Sequence, residues 1–145
     1  MIGLLQRVSS ASVAVDGETI GRIGRGLMVL VAVHRDDEER HIARLAERIL
    51  TYRVFPDDAG RMNRSLLDEH YGLLLVPQFT LAADTKKGTR ASFTKAAEPD
   101  KGAAYFERLV AACRSRLETV ETGRFGANMQ VSLTNDGPVT FWLET

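Results

Sequence analysis

This chain of 145 residues is poor in cysteine, proline and tryptophan: it has one cysteine, four prolines and one tryptophan. Its formal net charge is zero. A single cysteine, Cys113, excludes an internal disulfide and fits a reducing cytoplasm. The longest apolar run, Leu27 to Val33, is far shorter than the roughly 20 residues that a membrane span needs. The balanced charge does not favour nonspecific nucleic-acid binding, although it leaves room for a local basic patch.

The composition is that of an ordinary globular protein, with 44% hydrophobic and 26% charged residues. The length corresponds to about one domain, on a prior of roughly 150 residues per domain. No repeat or linker divides the chain, so we expect a single domain over residues 1–145. Met1 to Arg7 has no basic segment before its apolar residues, and we therefore expect no signal peptide and a cytoplasmic location.

Short strands alternate with two helical patterns. Apolar spacing predicts one amphipathic helix across Ile42 to Leu50, capped by Asp36 or Asp37, and a second helix that opens at Glu98-Pro99-Asp100. An Asp16-Gly17 pair predicts a hairpin turn. Strands are predicted at Ile2–Val8, Leu27–Val33, Tyr52–Phe55, Leu73–Val76, Val131–Leu133 and Val139–Leu143. This pattern indicates an α+β fold with mostly antiparallel sheets.

Two candidate chemistries are weak. Cys113 lies on the apolar stripe of the second predicted helix, so a packed core thiol is favoured over a nucleophile. His34, His41 and His70 show no metal-ligand spacing. We therefore expect no metal and no cofactor.

A loop from Asp84 to Lys95 is richer in basic residues than the rest of the chain. It contains four of them and one acid, together with glycine, serine, threonine and Phe93. One interpretation is a solvated loop. The other is a contact with nucleic-acid phosphates through Lys86, Lys87 and Arg90.

Two polar segments border apolar strands. Pro77-Gln-Phe-Thr-Leu81 follows a buried strand, and it is either an exposed strand face or part of a site. Asn135-Asp-Gly-Pro-Val-Thr140 separates two predicted strands, and it is either a hairpin turn or a place where Gly137 lets the backbone approach a ligand. The spacing alone does not choose between these alternatives.

Together with Leu5-Gln-Arg-Val8 and Thr122-Gly-Arg-Phe-Gly-Ala-Asn-Met-Gln-Val131, these segments resemble the bacterial D-aminoacyl-tRNA deacylases along nearly the whole chain. The resemblance implies a barrel-like α+β fold with two main helices packed on the sheets, and a homodimer. It also implies hydrolysis of the ester between a D-amino acid, or glycine, and the terminal adenosine of tRNA. Neither a membrane nor DNA is expected as a partner.

The resemblance also implies site residues. Gly137 and Pro138 would be joined by a cis bond and would exclude L-amino acids from the partner's active site. The catalytic residues, which form the first motif, would be Gln78, Phe79, Thr80 and Leu81. The substrate pocket would comprise Arg7, Phe125, Met129 and Asn135. The contact with tRNA would be made by Lys86, Lys87 and Arg90.

Three positions depart from the family pattern. Pro77 replaces the usual serine, Ala91 stands where proline is common, and Asn128 replaces a common aspartate. Pro77, at the first position of its motif, is similar to the pattern of a sister branch of the family in animals. Members of that branch tolerate some L-aminoacyl-tRNA. A deacylase of relaxed specificity and a nonenzymatic RNA-binding module therefore remain as alternatives.

The chemistry needs no strong nucleophile, because an aminoacyl ester is activated and the adenosine has a vicinal hydroxyl that can assist the attack. Backbone N–H groups around Phe79 to Leu81 are predicted to bind the carbonyl oxygen. A rigid backbone at Gly137-Pro138 would reject an L side chain by steric clash, but it could not reject glycine.

Overall fold

A computed structural model describes residues 1–145. Its three helices are α1 (Glu39–Thr51), α2 (Leu66–Glu69) and α3 (Pro99–Arg114), and a 3-10 turn covers Phe79–Ala82. None of the helices combines the length and apolar character needed to cross a membrane. The eight strands are β1 (Ile2–Val15), β2 (Glu18–Ile23), β3 (Gly26–Ala32), β4 (Phe55–Pro56), β5 (Met62–Arg64), β6 (Gly72–Pro77), β7 (Val120–Thr122) and β8 (Gln130–Glu144).

The long strand β1 organises the main sheet. One of its edges pairs antiparallel with β3 over Ile2–Val8 and with β2 over Ala11–Val15, while β8 pairs antiparallel along the other edge. β3, β6 and β7 then continue the sheet in parallel. β2 approaches β7 so closely that a Cβ at Gly21 would lie 2.9 Å from the Thr122 carbonyl oxygen. The sheet is therefore nearly closed, which confirms the barrel-like α+β prediction.

The central strands are covered on both faces, as the apolar run at Leu27 predicts. Alternate residues of β3 and β6, such as Val29 and Leu75, belong to the main core together with the buried stripes of α1 and α3. The intervening residues, Met28 and Leu74, belong to a second cluster with apolar residues of β1 and β2. Helices thus lie on one face of the sheet, and the interior of the barrel lies on the other.

The start of α1 differs from the prediction. The helix begins after Glu38, whose N–H donates to His41 Nδ1 at 2.7 Å. Asp37 is buried instead, where its carboxylate accepts hydrogen bonds from the Met1 ammonium at 2.6 Å and from the His34 N–H at 2.7 Å. The Asp37 carboxylate, which the sequence predicts as a possible helix cap, therefore forms a tertiary ion pair with the Met1 ammonium instead.

The C-terminal strand also differs, because the predicted pair of strands is the single strand β8. Asn135 pairs with Val8 and Thr140 pairs with Gln6, so residues 136–139 loop out opposite Arg7 alone. Both flanks pair with the same neighbour, β1, and the hairpin interpretation of this segment is therefore wrong. The elements that the sequence patterns missed, β5, β7 and α2, have three or four residues each.

Candidate functional site

A cavity of about 630 Å³ opens beside the end of β6, the start of α3 and the segment before β8. We call it the site cavity. Two of the predicted first-motif residues, Gln78 and Phe79, line it together with the predicted pocket residues Phe125 and Met129. The rest of its wall is formed by Val76, Pro77, Phe93, Ala96, Ala97, Glu98, Pro99, Gly126, Ala127, Asn128 and Val131.

The turn after β6 leaves two backbone donors unused. Gln78 holds the end of the strand by donating its N–H to the Val31 carbonyl at 2.7 Å. Within the turn, the Leu81 N–H donates to the Gln78 carbonyl at 3.2 Å, whereas the N–H groups of Phe79 and Thr80 find no acceptor in the chain. Two consecutive N–H groups are thus left without an acceptor, one on Phe79, which lines the site cavity, and one on Thr80, which follows it, whereas the third predicted donor, Leu81, is already bonded.

The two remaining first-motif side chains lie outside the wall of the site cavity. Thr80 is exposed, and its hydroxyl accepts a hydrogen bond from the Gln78 amide. Leu81 packs against a small apolar cluster that includes Ala82 and Ala96. Thr80 can therefore orient Gln78, and Leu81 anchors the turn.

Exposed aromatic rings mark the mouth of the site cavity. Phe79 and Phe93 are 56% and 42% exposed, and their ring centroids are 5.1 Å apart. Phe125 lies across from them against α3, where a Cβ at Gly102 would come within 3.0 Å of its ring. Such rings can bind a planar base. From the sequence, Phe93 is predicted only as part of the basic loop. Its position among lysines, serines and threonines was the one sign that it could belong to the site.

Met129 is fixed in the wall by its sulfur. The Arg124 N–H donates to Met129 Sδ at 3.3 Å, and the same sulfur would lie 2.8 Å from a Cβ at Gly123. Pro77 lies on the other side of that glycine, with its Cδ 3.3 Å from the same Cβ position. Glu98 is the one carboxylate among the lining residues, and no sequence pattern pointed to it.

The other predicted site residues form a second group away from the site cavity. The Gly137-Pro138 bond is cis, and both residues are exposed in the looped-out segment of β8. Arg7 lies beneath them, donating from Nε to the Asp136 carbonyl at 3.1 Å and from Nη1 to the Val54 carbonyl at 2.7 Å.

Asn135 closes the base of the same segment. Its Oδ1 accepts from the Val139 N–H at 3.2 Å, and its Nδ2 donates to the Thr140 hydroxyl at 2.8 Å. Arg7 and Asn135 therefore shape the loop around Gly137, and neither lines the site cavity of its own chain.

The basic loop projects into solvent. Asp84 and Ser92 close it with two backbone hydrogen bonds of 2.7 and 3.0 Å. Lys86, Lys87 and Arg90 are exposed and have no carboxylate within ion-pairing distance. Their charges are therefore available to an anionic partner.

The one thiol of the chain takes no part in this geometry. Cys113 is fully buried in the main core, and burial raises its pKa to about 12. A thiol that stays protonated at neutral pH is a poor nucleophile. The predicted core role of Cys113 is confirmed.

Comparison with known proteins gives a consistent result. The family model described as D-Tyr-tRNA(Tyr) deacylase matches residues 4–144. A D-aminoacyl-tRNA deacylase of Alkalilimnicola ehrlichii is 65% identical over 144 residues, which are 99% of this chain and 96% of the relative. A D-aminoacyl-tRNA deacylase of Pseudomonas aeruginosa is 59% identical over 145 residues, and 100% of each chain is covered.

Solved structures share the fold. A protein described as c-Myc DNA Unwinding Element Binding Protein superposes with a TM-score of 0.95 at 38% identity, covering 100% of this chain and 99% of that chain. A probable eukaryotic D-amino acid tRNA deacylase superposes with a TM-score of 0.86 over 98% of this chain and 97% of its own. At 20% identity, that second likeness bears on the fold alone.

Proposed function

Because this chain belongs to the D-Tyr-tRNA(Tyr) deacylase family and hydrolyses the ester bond of D-aminoacyl-tRNA, we propose that it works with backbone donors instead of a side-chain nucleophile. The observation that carries the proposal is the pair of unused N–H groups of Phe79 and Thr80 beside the site cavity. Two such donors suit the oxygen that becomes negatively charged when the ester carbonyl is attacked.

The reaction is an ester hydrolysis. Water adds to the carbonyl carbon, and the tetrahedral intermediate then expels the ribose oxygen of the terminal adenosine, which leaves with a proton. The vicinal ribose hydroxyl assists the attack. In this mechanism the protein contributes position and oxyanion stabilisation. Gln78 and Thr80 orient the substrate, and the exposed rings of Phe79 and Phe125 hold the adenosine.

Selection against L-amino acids is assigned to Gly137 and Pro138 of a second copy of the chain. These residues are exposed and do not line the site cavity of their own chain, which supports an action on the site of another molecule. Two features support a homodimer. The outer edge of the 15-residue strand β8 has no partner strand, and Trp142 on it is 49% exposed.

A backbone wall determines which esters are cleaved. It rejects an L side chain by steric clash, accepts many D side chains, and cannot reject glycine, which has no side chain. Lys86, Lys87 and Arg90 supply contacts to tRNA phosphates from the exposed loop. We place this activity in the cytoplasm.

The test compares D-tyrosyl-, L-tyrosyl- and glycyl-tRNA as substrates after chelator treatment. We expect rapid loss of the D-tyrosyl and glycyl esters, with the L-tyrosyl ester intact. Equal loss of the D and L esters would contradict the backbone wall and support a relaxed specificity associated with Pro77. Loss of no ester would support the nonenzymatic alternative, an RNA-binding module.

A further inference from the structure

A second hollow lies beside the site cavity, next to Phe93 at its mouth. It has a volume of about 500 Å³ and is lined by polar residues only, among them His34, Arg35, Asp36, Thr94 and Lys95. We call it the Arg35–Lys95 hollow. Segment 93–97 separates the two spaces, because Phe93 and residues 96–97 line the site cavity whereas residues 94–95 line the hollow.

The wall between the two spaces is held by backbone hydrogen bonds. The Arg35 N–H donates to the Lys95 carbonyl at 2.9 Å, and the Ala97 N–H donates to the Val33 carbonyl at 3.0 Å. Lys101 adds a hydrogen bond from Nζ to the Arg35 carbonyl at 2.6 Å. The cationic side chains of the hollow are therefore mounted on a fixed backbone, close to the mouth of the site.

The charge available in the hollow is positive. Arg35 and Lys95, the two basic residues that line it, have no carboxylate within ion-pairing distance. The two nearby acids that could cancel them are already paired. Asp37 is bonded to the Met1 ammonium at 2.6 Å, and Glu38 pairs with Arg40 at 3.2 Å. Asp36 alone is left on the wall without an ion pair.

A groove on the other side of the site cavity has the same balance of two cations and one unpaired carboxylate, but one of its cations is already engaged. Arg114 and Arg124 line it, but Glu107 lies on the same wall. Arg114 also points two of its guanidinium nitrogens, Nε and Nη2, at the Val120 carbonyl, at 3.4 and 3.3 Å. A polyanion leaving the site cavity therefore meets two cationic side chains without a partner, Arg35 and Lys95, on one side and a single one, Arg124, on the side of α3 and β7.

We propose that the Arg35–Lys95 hollow binds backbone phosphates of the 3′-terminal strand of tRNA while the terminal aminoacyl-adenosine occupies the site cavity. The inference rests on the proposed function and extends the phosphate contacts from the exposed loop to a fixed wall of the protein. Lysine and arginine neutralise phosphates without reading the base sequence. The hollow thus contributes affinity and orientation, and it serves tRNAs of many sequences.

The experiment uses the double variant Arg35→Ala/Lys95→Ala. Its matched control is Arg22→Ala/Arg61→Ala, which removes two exposed cations that line neither space. Each protein is assayed with D-tyrosyl-tRNA and with D-tyrosyl-adenosine, which has no phosphate. We expect kcat/KM for the tRNA ester to fall about fivefold or more in the Arg35/Lys95 variant, because two phosphate contacts are lost. The adenosine ester should be cleaved at the wild-type rate.

Two further readouts make the result decisive. For the Arg35/Lys95 variant, the plot of log kcat/KM against log salt should become shallower by about 0.7 for each lost contact. Its Kd for uncharged tRNA should rise, whereas the control variant should match the wild type in both readouts. An unchanged tRNA rate and Kd, or an equal loss on both esters, would overturn the proposal. Failure of the wild type to cleave either ester would instead count against the proposed function, and the Kd would still test the hollow.

Discussion

Gly137 combines an unusual backbone conformation with crowding. Its φ is +128°, and a Cβ there would lie 2.8 Å from Val139 Cγ2 and 3.2 Å from Arg7 Nη2. We expect Gly137→Ala to displace the looped-out segment and to lower kcat/KM for D-tyrosyl-tRNA by at least about tenfold, since shifts below 1 Å are costly at a reacting centre. Steady-state kinetics with D- and L-tyrosyl-tRNA, together with a thermal melt, provide the measurement.

Gly60 supplies the matched control for Gly137. It also has a positive φ, +78°, but a Cβ there would have no neighbour within 4 Å. Gly60→Ala should therefore cost stability through backbone strain alone, by about 1 kcal/mol, and leave the kinetics unchanged. Equal kinetic losses in the two variants would show that general destabilisation, and not the shape of the segment, explains the effect.

Cys113 links burial to alkaline stability. Burial raises the pKa of the Cys113 thiol from its ordinary value of 9.0 to about 12. Above pH 9.0 the unfolded chain therefore releases a proton that the folded chain retains. The contribution of Cys113 to the free energy of unfolding is therefore full below that pH and declines as the pH rises toward 12.

The same burial predicts chemical inertness. Iodoacetamide at pH 8 should leave native Cys113 unmodified and should label it completely in urea, as mass spectrometry would show. The Cys113→Ala variant should lose the decline in stability that the thiol causes above pH 9.0. Rapid labelling of the native protein would instead place the thiol within reach of solvent and reopen a nucleophilic role.

At the scale of elements, β6 leads directly into Gln78 and Phe79 of the site. Its last residue is Pro77, which departs from the family pattern. Odd-numbered residues of β6 bond toward β7, because the Leu73 N–H donates to the Thr119 carbonyl and the Leu75 carbonyl accepts from the Gly123 N–H. The pairing with β7 ends at Leu75 and Thr122. Residue 77 therefore has no ladder partner on that edge, and a proline costs the sheet no hydrogen bond.

We accordingly expect Pro77→Ser to preserve both fold and selectivity. The smaller serine can follow the same backbone path, so the free energy of unfolding should change by less than about 1 kcal/mol. The ratio of D- to L-tyrosyl-tRNA hydrolysis should stay within a factor of about three, which corresponds to less than 1 kcal/mol. Urea unfolding and paired kinetic assays measure the two quantities. A tenfold gain in selectivity would mean that Pro77 relaxes the pocket.

At the scale of the whole molecule, the predicted site residues divide between the site cavity and the Gly137 segment. This division predicts complementation between two inactive variants. Gln78→Ala disables the cavity and Gly137→Ala disables the wall, so a heterodimer of the two has one site with both defects and one with neither. After co-expression with random pairing, half of the dimers are mixed, and about a quarter of all sites should be active.

The activity of the mixture distinguishes an action in trans from an action in cis. If Gly137 acted on the cavity of its own chain, every site would carry one defect and the mixture would stay as inactive as its parents. As a matched control for expression level, each variant is unfolded and refolded by itself, and the two refolded proteins are then mixed. A single monomeric species in sedimentation experiments would contradict the dimer itself.

Local patterns in the sequence were sufficient for the elements that bury a regular apolar stripe. The run at Leu27, the helical spacing from Ile42 to Leu50 and the Asp16-Gly17 turn all correspond to observed elements, because each is determined by side-chain periodicity or by φ preference. The buried Cys113 follows from the same spacing. Family resemblance, and not periodicity, supplied the site motifs and the activity.

Only the tertiary structure decided which of those motifs meet. β8 continues through Gly137-Pro138 because both flanks pair with β1, and the burial of Asp37 depends on the Met1 ammonium, 36 positions away in the chain. The unused donors of Phe79 and Thr80, the exposed Gly137 segment and the Arg35–Lys95 hollow likewise depend on long-range packing. Sequence patterns encode which face of an element is buried, whereas the pairing of distant elements determines which polar groups remain free to bind.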